Sequence, residues 1–528
     1  MIRINGSAAR RAVAGALLGA LLVCAPALGQ GGDPVSQANA LYSDIAADKR
    51  SDLVVLPLVA KMAPPPAAVA TLEQARLITG SSKAWKEAEA WAAAPEQKAV
   101  IDAIRTVTQE SDYRRAYAYG LPYGTEGVPP DLIRANLYAD IGEPPTLSGA
   151  VHGHLEGLSR VEVLINVEAA RRSEAGSPSD AIDLLTDFVF FSRQLADRQM
   201  LTEAVWGLRA MSRSLERIRD VAHTDFVGPK KLDVDRIRKQ IDRLAADQAY
   251  LDLSRMRFPR ADRLGTEQVI ARVYTERGKV IPEKFAPTMA RLGTAGRPLR
   301  LFSEGARWRG VADGQADWFE ATQAAKGVYD EWARRWSLDW FDKQQGERSA
   351  YAKLDRQKLV AVALSTPDMG VLGHERVIAT TEIVGTRAAL GVVGFAITNR
   401  AFPPQLSSIR PRWMTRLDVD PYNAERANRN QPPLEYFVPM RDTPRDPKAG
   451  PQPYEMNVVA TRADAGANFT MNLKDDTFVL YSRGSDNANN FARRVQNTPD
   501  IVQGADYLLW PPVLSLYRKN LIDVGAIE

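Results

Sequence analysis

The sequence predicts a mainly α N-terminal region, either a helical bundle or an irregular solenoid of αα-hairpins, followed by a small α+β module. Three observations carry that expectation. Apolar residues recur at spacings of three and four from about residue 34 to 372. A stretch inside that region, 161–218, has the punctuation of a helical hairpin, and runs rich in β-branched and aromatic residues follow after residue 430. The 528 residues are 45% hydrophobic and 25% charged, values shared by ordinary globular proteins. At roughly 100 to 200 residues per domain the length suffices for two to four domains, each with its own core. Disorder as the main state is excluded, and collagen-like, coiled-coil and disulfide-scaffold classes do not fit.

The N-terminus comes first. Arg3, Arg10 and Arg11 form a positive segment, Ala12 to Val23 an apolar stretch, and Ala27-Leu28-Gly29 supplies small residues where a signal peptidase cuts. Residues 1–29 are therefore expected to be an export signal, which places the protein in the periplasm or outside the cell. A lipid anchor on Cys24 is the alternative, disfavoured by the bulky Val23 before it. Removing three arginines and no acid lowers the formal charge of +4 to about +1 and removes the one Cys. Thiol chemistry and disulfides then leave the argument, as does the basic field that nucleic-acid binding needs. No transmembrane span is expected after the signal, because Leu53 to Met62 is short and contains Pro57 and Lys61.

Residues 34–372 form the helical region, with a possible subdomain break near 250–265. Its clearest unit runs from Val161 through Leu164, Ile165 and Val167 to Gly176, then from Ala181 through Leu185 to Val189, and on from Met200 to Ile218. Gly176 suits the positive φ of a helix end, and Ser179 or Asp180 suits the next N-cap. Lys230 to Arg243 interleaves both charge signs, the pattern of a solvated helix face. Tyr329, Trp332, Trp336 and Trp340 lie along one helical side. Packing in a core is the plain expectation, and an aromatic interface or carbohydrate platform is the alternative if Trp332, Trp336 and Trp340 are exposed.

Residues 373–528 form the C-terminal module. A helix over about 375–400 leads into Phe402-Pro403-Pro404-Gln405-Leu406-Ser407-Ser408-Ile409-Arg410-Pro411, where Leu406 and Ile409 make a short turn that folds back on it. Asp420-Pro421-Tyr422 is a turn, and Leu434 to Val438 and Thr477 to Ser482 are strand candidates. This order of elements resembles the globular part of type II secretion major pseudopilins and related type IV pilin-like proteins, matching over roughly 375–514. Leu480 to Asp486 resembles their Leu-Tyr-Ser-x-Gly-x-Asp strand end, and Ala505 to Trp510 their closing Asp and Trp. The resemblance implies a calcium loop on Asp486, Asp500 and Asp506. Asn487, Asn489, Asn490, Arg493 and Arg494 make that loop less anionic than calcium prefers, and a plain Asx-rich turn is the simpler expectation. Assembly as a pilus subunit is not implied, because the module stands at the far end of a chain with an ordinary signal.

Catalytic constellations are mostly absent. His152-Gly153-His154 invites a metal, yet residues two apart share no helix face and no further ligand stands at recognisable spacing, so the pair reads as a surface or helix-end feature. Gly373-His374-Glu375 lacks the second His of a zinc helix. No glycine-rich phosphate loop or Gly-x-Ser-x-Gly turn occurs. The functional expectation is an exported, non-enzymatic binding or scaffolding protein with protein partners at the cell envelope, with no cofactor except possible calcium. The alternative is an envelope hydrolase using paired Asp or Glu carboxylates, acting on glycans beside the tryptophans.

Overall fold

A computed structural model describes residues 32–110, 115–245, 250–276, 278–293, 301–424, 433–442, 452–459, 468–497 and 504–527. The expected signal, with Cys24, and Asp500 lie outside the described residues. Among those described, helices build the N-terminal part and a small mixed sheet joins them near the C-terminus, as the sequence predicts.

The chain enters through short helices α1 (Pro34–Ser43), α2 (Ser51–Val59), α3 (Leu72–Leu77), α4 (Trp85–Ala92), α5 (Pro95–Thr106) and α6 (Pro130–Arg134). Strands β1 (Ala139–Asp140) and β2 (Val151–His152) then pair antiparallel. Three long helices follow: α7 (Gly153–Glu174), α8 (Pro178–Ala196) and α9 (Leu201–Val227). Their interior faces carry Leu164, Ile165, Leu185, Phe188, Leu208 and Leu215, all fully buried, and α2 to α5 cover α7 and α8. Gly176 takes φ 81° at the α7–α8 turn, as its position demands. The expected cap does not form. Ser177 is the N-cap residue without a side-chain bond, because the Ser179 hydroxyl accepts from Asp233 N and Asp180 pairs with Arg236, so tertiary partners take both polar groups.

Helices α8 and α9 approach closely at Gly207. A Cβ there would stand 2.4 Å from Ala196 N and 2.7 Å from Ser192 O, both rigid backbone atoms. Gly207→Ala should therefore destabilise the protein by about 2 kcal/mol or more, even though Ala gains nearly 1 kcal/mol of helix propensity. Urea unfolding checks this, and an increase in stability would mean that the two helices separate at little cost.

Helix α10 (Val234–Arg243) is solvated on its charged face, as expected, and buries Ile237 and Ile241. Helices α11 (Ala261–Val273), α12 (Pro282–Gly293), α13 (Leu301–Ala312), α14 (Trp318–Trp336) and α15 (Val360–Ser365) surround a core of their own, built on Val269, Phe285, Met289, Trp308 and Val362.

Helix α16 (Gly370–Asn399) starts five residues before the helix expected at 375. Every residue from Thr381 to Gly394 is buried, with α9 and α10 against it on one side and the sheet on the other. The sequence predicts no span beyond the signal, yet the helical stretch Val360–Asn399 is long and apolar enough for one, and 89% of its most apolar window is buried inside the protein. It is apolar all round because protein surrounds it.

The sheet contains β3 (Glu435–Phe437), β4 (Tyr454–Val459), β5 (Asn468–Leu473), β6 (Val479–Ser482), β7 (Arg494–Gln496) and β8 (Asp506–Trp510), in the order β3-β6-β8-β7-β4-β5. Pairs β4–β7 and β7–β8 are parallel, and the others antiparallel. Strand β8 is buried along its whole length. Alternation explains how: Leu509 lies where a Cβ on Gly385 of α16 would stand 2.3 Å from it, while Leu508 joins a second cluster with Val495 and Leu516. A short helix α17 (Pro439–Asp442) follows β3, and α18 (Val513–Asp523) ends the chain against α9 and α3.

Candidate functional site

The tryptophans line a cleft. Asp317 caps α14 by accepting from Glu320 N at 2.8 Å, and three- and four-residue spacing then sets Tyr329, Trp332 and Trp336 along one side. Tyr329 is core, with its hydroxyl 2.9 Å from Thr266 Oγ1. Trp332 and Trp336 are half-buried. The helix stops at Trp336, so the expected stripe is interrupted, and Trp340 reaches the same cleft from the turn beyond. Together with the 251–258 segment, the first half of α16 and Pro421, these residues enclose about 520 Å³.

Most of the lining is apolar: Leu251, Leu253, Phe258, Met369, Val377 and Ile383 stand beside the indoles. Arg376 lays its guanidinium 3.6 Å from the Trp336 ring centre and donates to Trp336 O at 2.8 Å, while Trp336 Nε1 donates to Met256 O at 3.3 Å. Arg335 is tied down by Glu331 at 2.6 Å and by the carbonyls of Gln345 and Glu347. Among the described residues that line the cleft, Asp252 is the one carboxylate, and it already accepts from Ser254 N and Oγ. The pair of convergent acids that a glycosidase needs is not in this lining.

The loop implied to hold calcium is closed on itself. Asp486 Oδ1 accepts from Ala488 N at 3.0 Å and Oδ2 from Gly504 N at 2.8 Å. Asp506 accepts from Asn490 N at 3.2 Å and Ala492 N at 2.7 Å. Burial pushes the Asp506 carboxyl up to about 7, with the Asp486 charge adding to the rise. All four carboxylate oxygens thus accept from backbone amides: one bond is the Asx turn at Asp486, and the other three tie together residues 14 to 18 apart.

The His pair is at a helix end, one of the two expected places, but is buried rather than on the surface. His152 ends β2 and His154 sits in the first turn of α7, and both rings are buried beside Glu203 in the first turn of α9. Glu203 Oε1 accepts from Arg198 Nε at 3.0 Å, and Oε2 accepts from the Tyr123 hydroxyl at 2.7 Å. The Arg198 guanidinium lies 3.9 Å from the Tyr42 ring centre and 4.8 Å from that of Tyr123. Burial would raise the Glu203 carboxyl, but the Arg198 charge and the neighbouring His154 and His152 together outweigh it and hold the group well below the usual carboxylate range. Burial likewise pushes the Tyr119 and Tyr123 hydroxyls up and takes His152 down to about 4. His223 packs edge-on to Trp510 at 5.2 Å, and His374 lies 5.1 Å from Trp340.

Apart from the His152–His154 pair, sequence spacing gives no sign of this polar centre. Its members come from residues 42, 119, 123, 152, 154, 198 and 203, and only the fold assembles them. The His-x-His pair across a strand-to-helix junction is the one local signal.

Comparison of the chain with protein-family models, curated proteins and solved structures finds no match to any of them.

Proposed function

We propose that the chain is an exported, non-enzymatic binding or scaffolding protein of the cell envelope, with a pseudopilin-like module at its C-terminal end, and that the tryptophan cleft receives a polypeptide segment of a protein partner. The observation that carries this is the cleft lining: three half-buried indoles and a broad apolar floor with two arginines and one engaged carboxylate. Tryptophan and arginine are the residues that most often dominate protein–protein binding energy. Apolar side chains next to an acidic residue are the ligand chemistry that fits. The surplus of arginine over acid disfavours basic segments.

The test is selection from a displayed peptide library on the purified full chain. Enriched peptides should carry bulky apolar residues beside Asp or Glu, and Trp340→Ala or Arg376→Gln should weaken their binding about tenfold or more. Peptides that bind both variants as well as the parent would exclude the cleft. Glycan turnover lost in Asp252→Asn would replace this reading with the hydrolase alternative.

A further inference from the structure

We propose that His152, His154 and Glu203 form a buried zinc-binding site. One ligand atom from each side chain lies within 4.8 Å of the other two. His154 Nε2 stands 3.1 Å from Glu203 Oε1, and His152 Nδ1 stands 3.8 Å from the same oxygen. The side chains of His154 and Glu203 are fully buried, and that of His152 is 7% exposed.

The second observation is what these groups leave undone. His152 Nδ1 and both ring nitrogens of His154 are buried without a hydrogen bond of acceptable geometry, although a carboxylate oxygen is within reach. Buried polar atoms left so call for an explanation, and a bound ion on which these nitrogens converge is the one that also accounts for their geometry. Two imidazole nitrogens converging on a carboxylate oxygen form the donor set of zinc. Calcium and magnesium take oxygen donors instead.

The fold explains how residues two apart in sequence meet. The strand ends at His152 and the helix begins at Gly153, so the chain changes direction between the two rings, whose centres are 5.7 Å apart. Only glycine fits at this junction, because a Cβ on Gly153 would stand 2.2 Å from Asn136 O. Glu203 is fixed from behind by the Tyr123 hydroxyl on its other oxygen, the outer support that metal-binding carboxylates require. Arg198 shares Oε1, so the metal-free rival is a plain ion-pair network in which His154 donates to Glu203. Because the three ligand side chains are buried, the ion would be taken up as the chain folds and would stabilise it, with one non-protein ligand completing its four-coordination.

The test is elemental analysis of the full chain produced in zinc-supplemented medium and dialysed without chelator. About one zinc per chain is expected, with a Tm several degrees above that of protein produced without zinc. His154→Gln should reduce bound zinc to below about a tenth of an equivalent. Should that variant fail to fold, the parent protein decides alone. Zinc below about a tenth of an equivalent in the parent, with no Tm difference, overturns the proposal in favour of the ion-pair network. Zinc retained by a His152→Ala/His154→Gln double variant overturns it too. Calcium is counted as a separate element, so occupancy at Asp486 and Asp506 cannot be mistaken for this site.

Discussion

Asp220→Ala is expected to cost about 3 to 5 kcal/mol, enough to unfold a marginal protein. Asp220 is fully buried in α9 and takes bonds from Arg518 Nη1 and Nη2 at 2.9 and 2.8 Å, from Ser515 Oγ at 2.6 Å and from Arg217. Removing it strands two arginines whose side chains are less than one-tenth exposed. The stranded cations, rather than the missing bonds, account for the loss. Burial alone would raise the Asp220 carboxyl, but the Arg518 and Arg217 charges depress it well below the ordinary range. A depressed carboxyl contributes stability that is fully present above the unfolded value near pH 4 and is lost as pH falls through the folded value. Urea unfolding should therefore show a smaller loss of stability on acidification in Asp220→Ala than in the parent. Parallel pH profiles would mean that the network carries no net stabilisation.

Trp510→Ala should cost a similar amount, about 3 to 5 kcal/mol. The indole is completely buried at the end of β8, stacked on Phe478 with 4.9 Å between centres and 4° between planes. It also meets the His223 ring of α9 and donates to Thr477 Oγ1 at 3.2 Å. Truncation leaves a cavity bounded by elements from both parts of the chain, Phe478 on one side and His223 on the other, which opposes collapse. Trp510→Phe keeps the stack and should recover roughly half of the loss. Thermal unfolding of both variants measures this, and a loss below about 1 kcal/mol for Ala would mean that the site closes up after truncation.

Local features were legible in the sequence to the extent that local physics decides them. Gly176 marks the α7–α8 turn because a positive φ is a property of one residue. The apolar run after residue 375 gives α16, and Leu406 and Ile409 give the turn beneath it, since a periodic pattern is enough for both. The Asp486 turn follows from Asx chemistry within two residues. What escaped depends on pairs distant in sequence. Ser179 and Asp180 are good capping residues, but Asp233 and Arg236 take them first. The two His residues, two apart in sequence, share no helix face until a strand-to-helix turn brings their rings together. Trp340 lies off the α14 helix yet reaches the same cleft because the turn after Trp336 doubles back. Asp220 and Arg518 belong to no motif, since their meeting is a product of tertiary packing.

The Asp220–Arg518 pair also bears on how the chain is made. Its members are 298 residues apart, and the chain is synthesised from its N-terminus. Until residues 515–518 emerge, Asp220 has its own helix's Arg217 but neither Ser515 nor Arg518, and the groove between α3 and α9 that receives α18 stays open. Asp220, fully buried, thus gains its outer partners only after residues 515 and 518 have been made, so the contact between α9 and α18 closes late in synthesis.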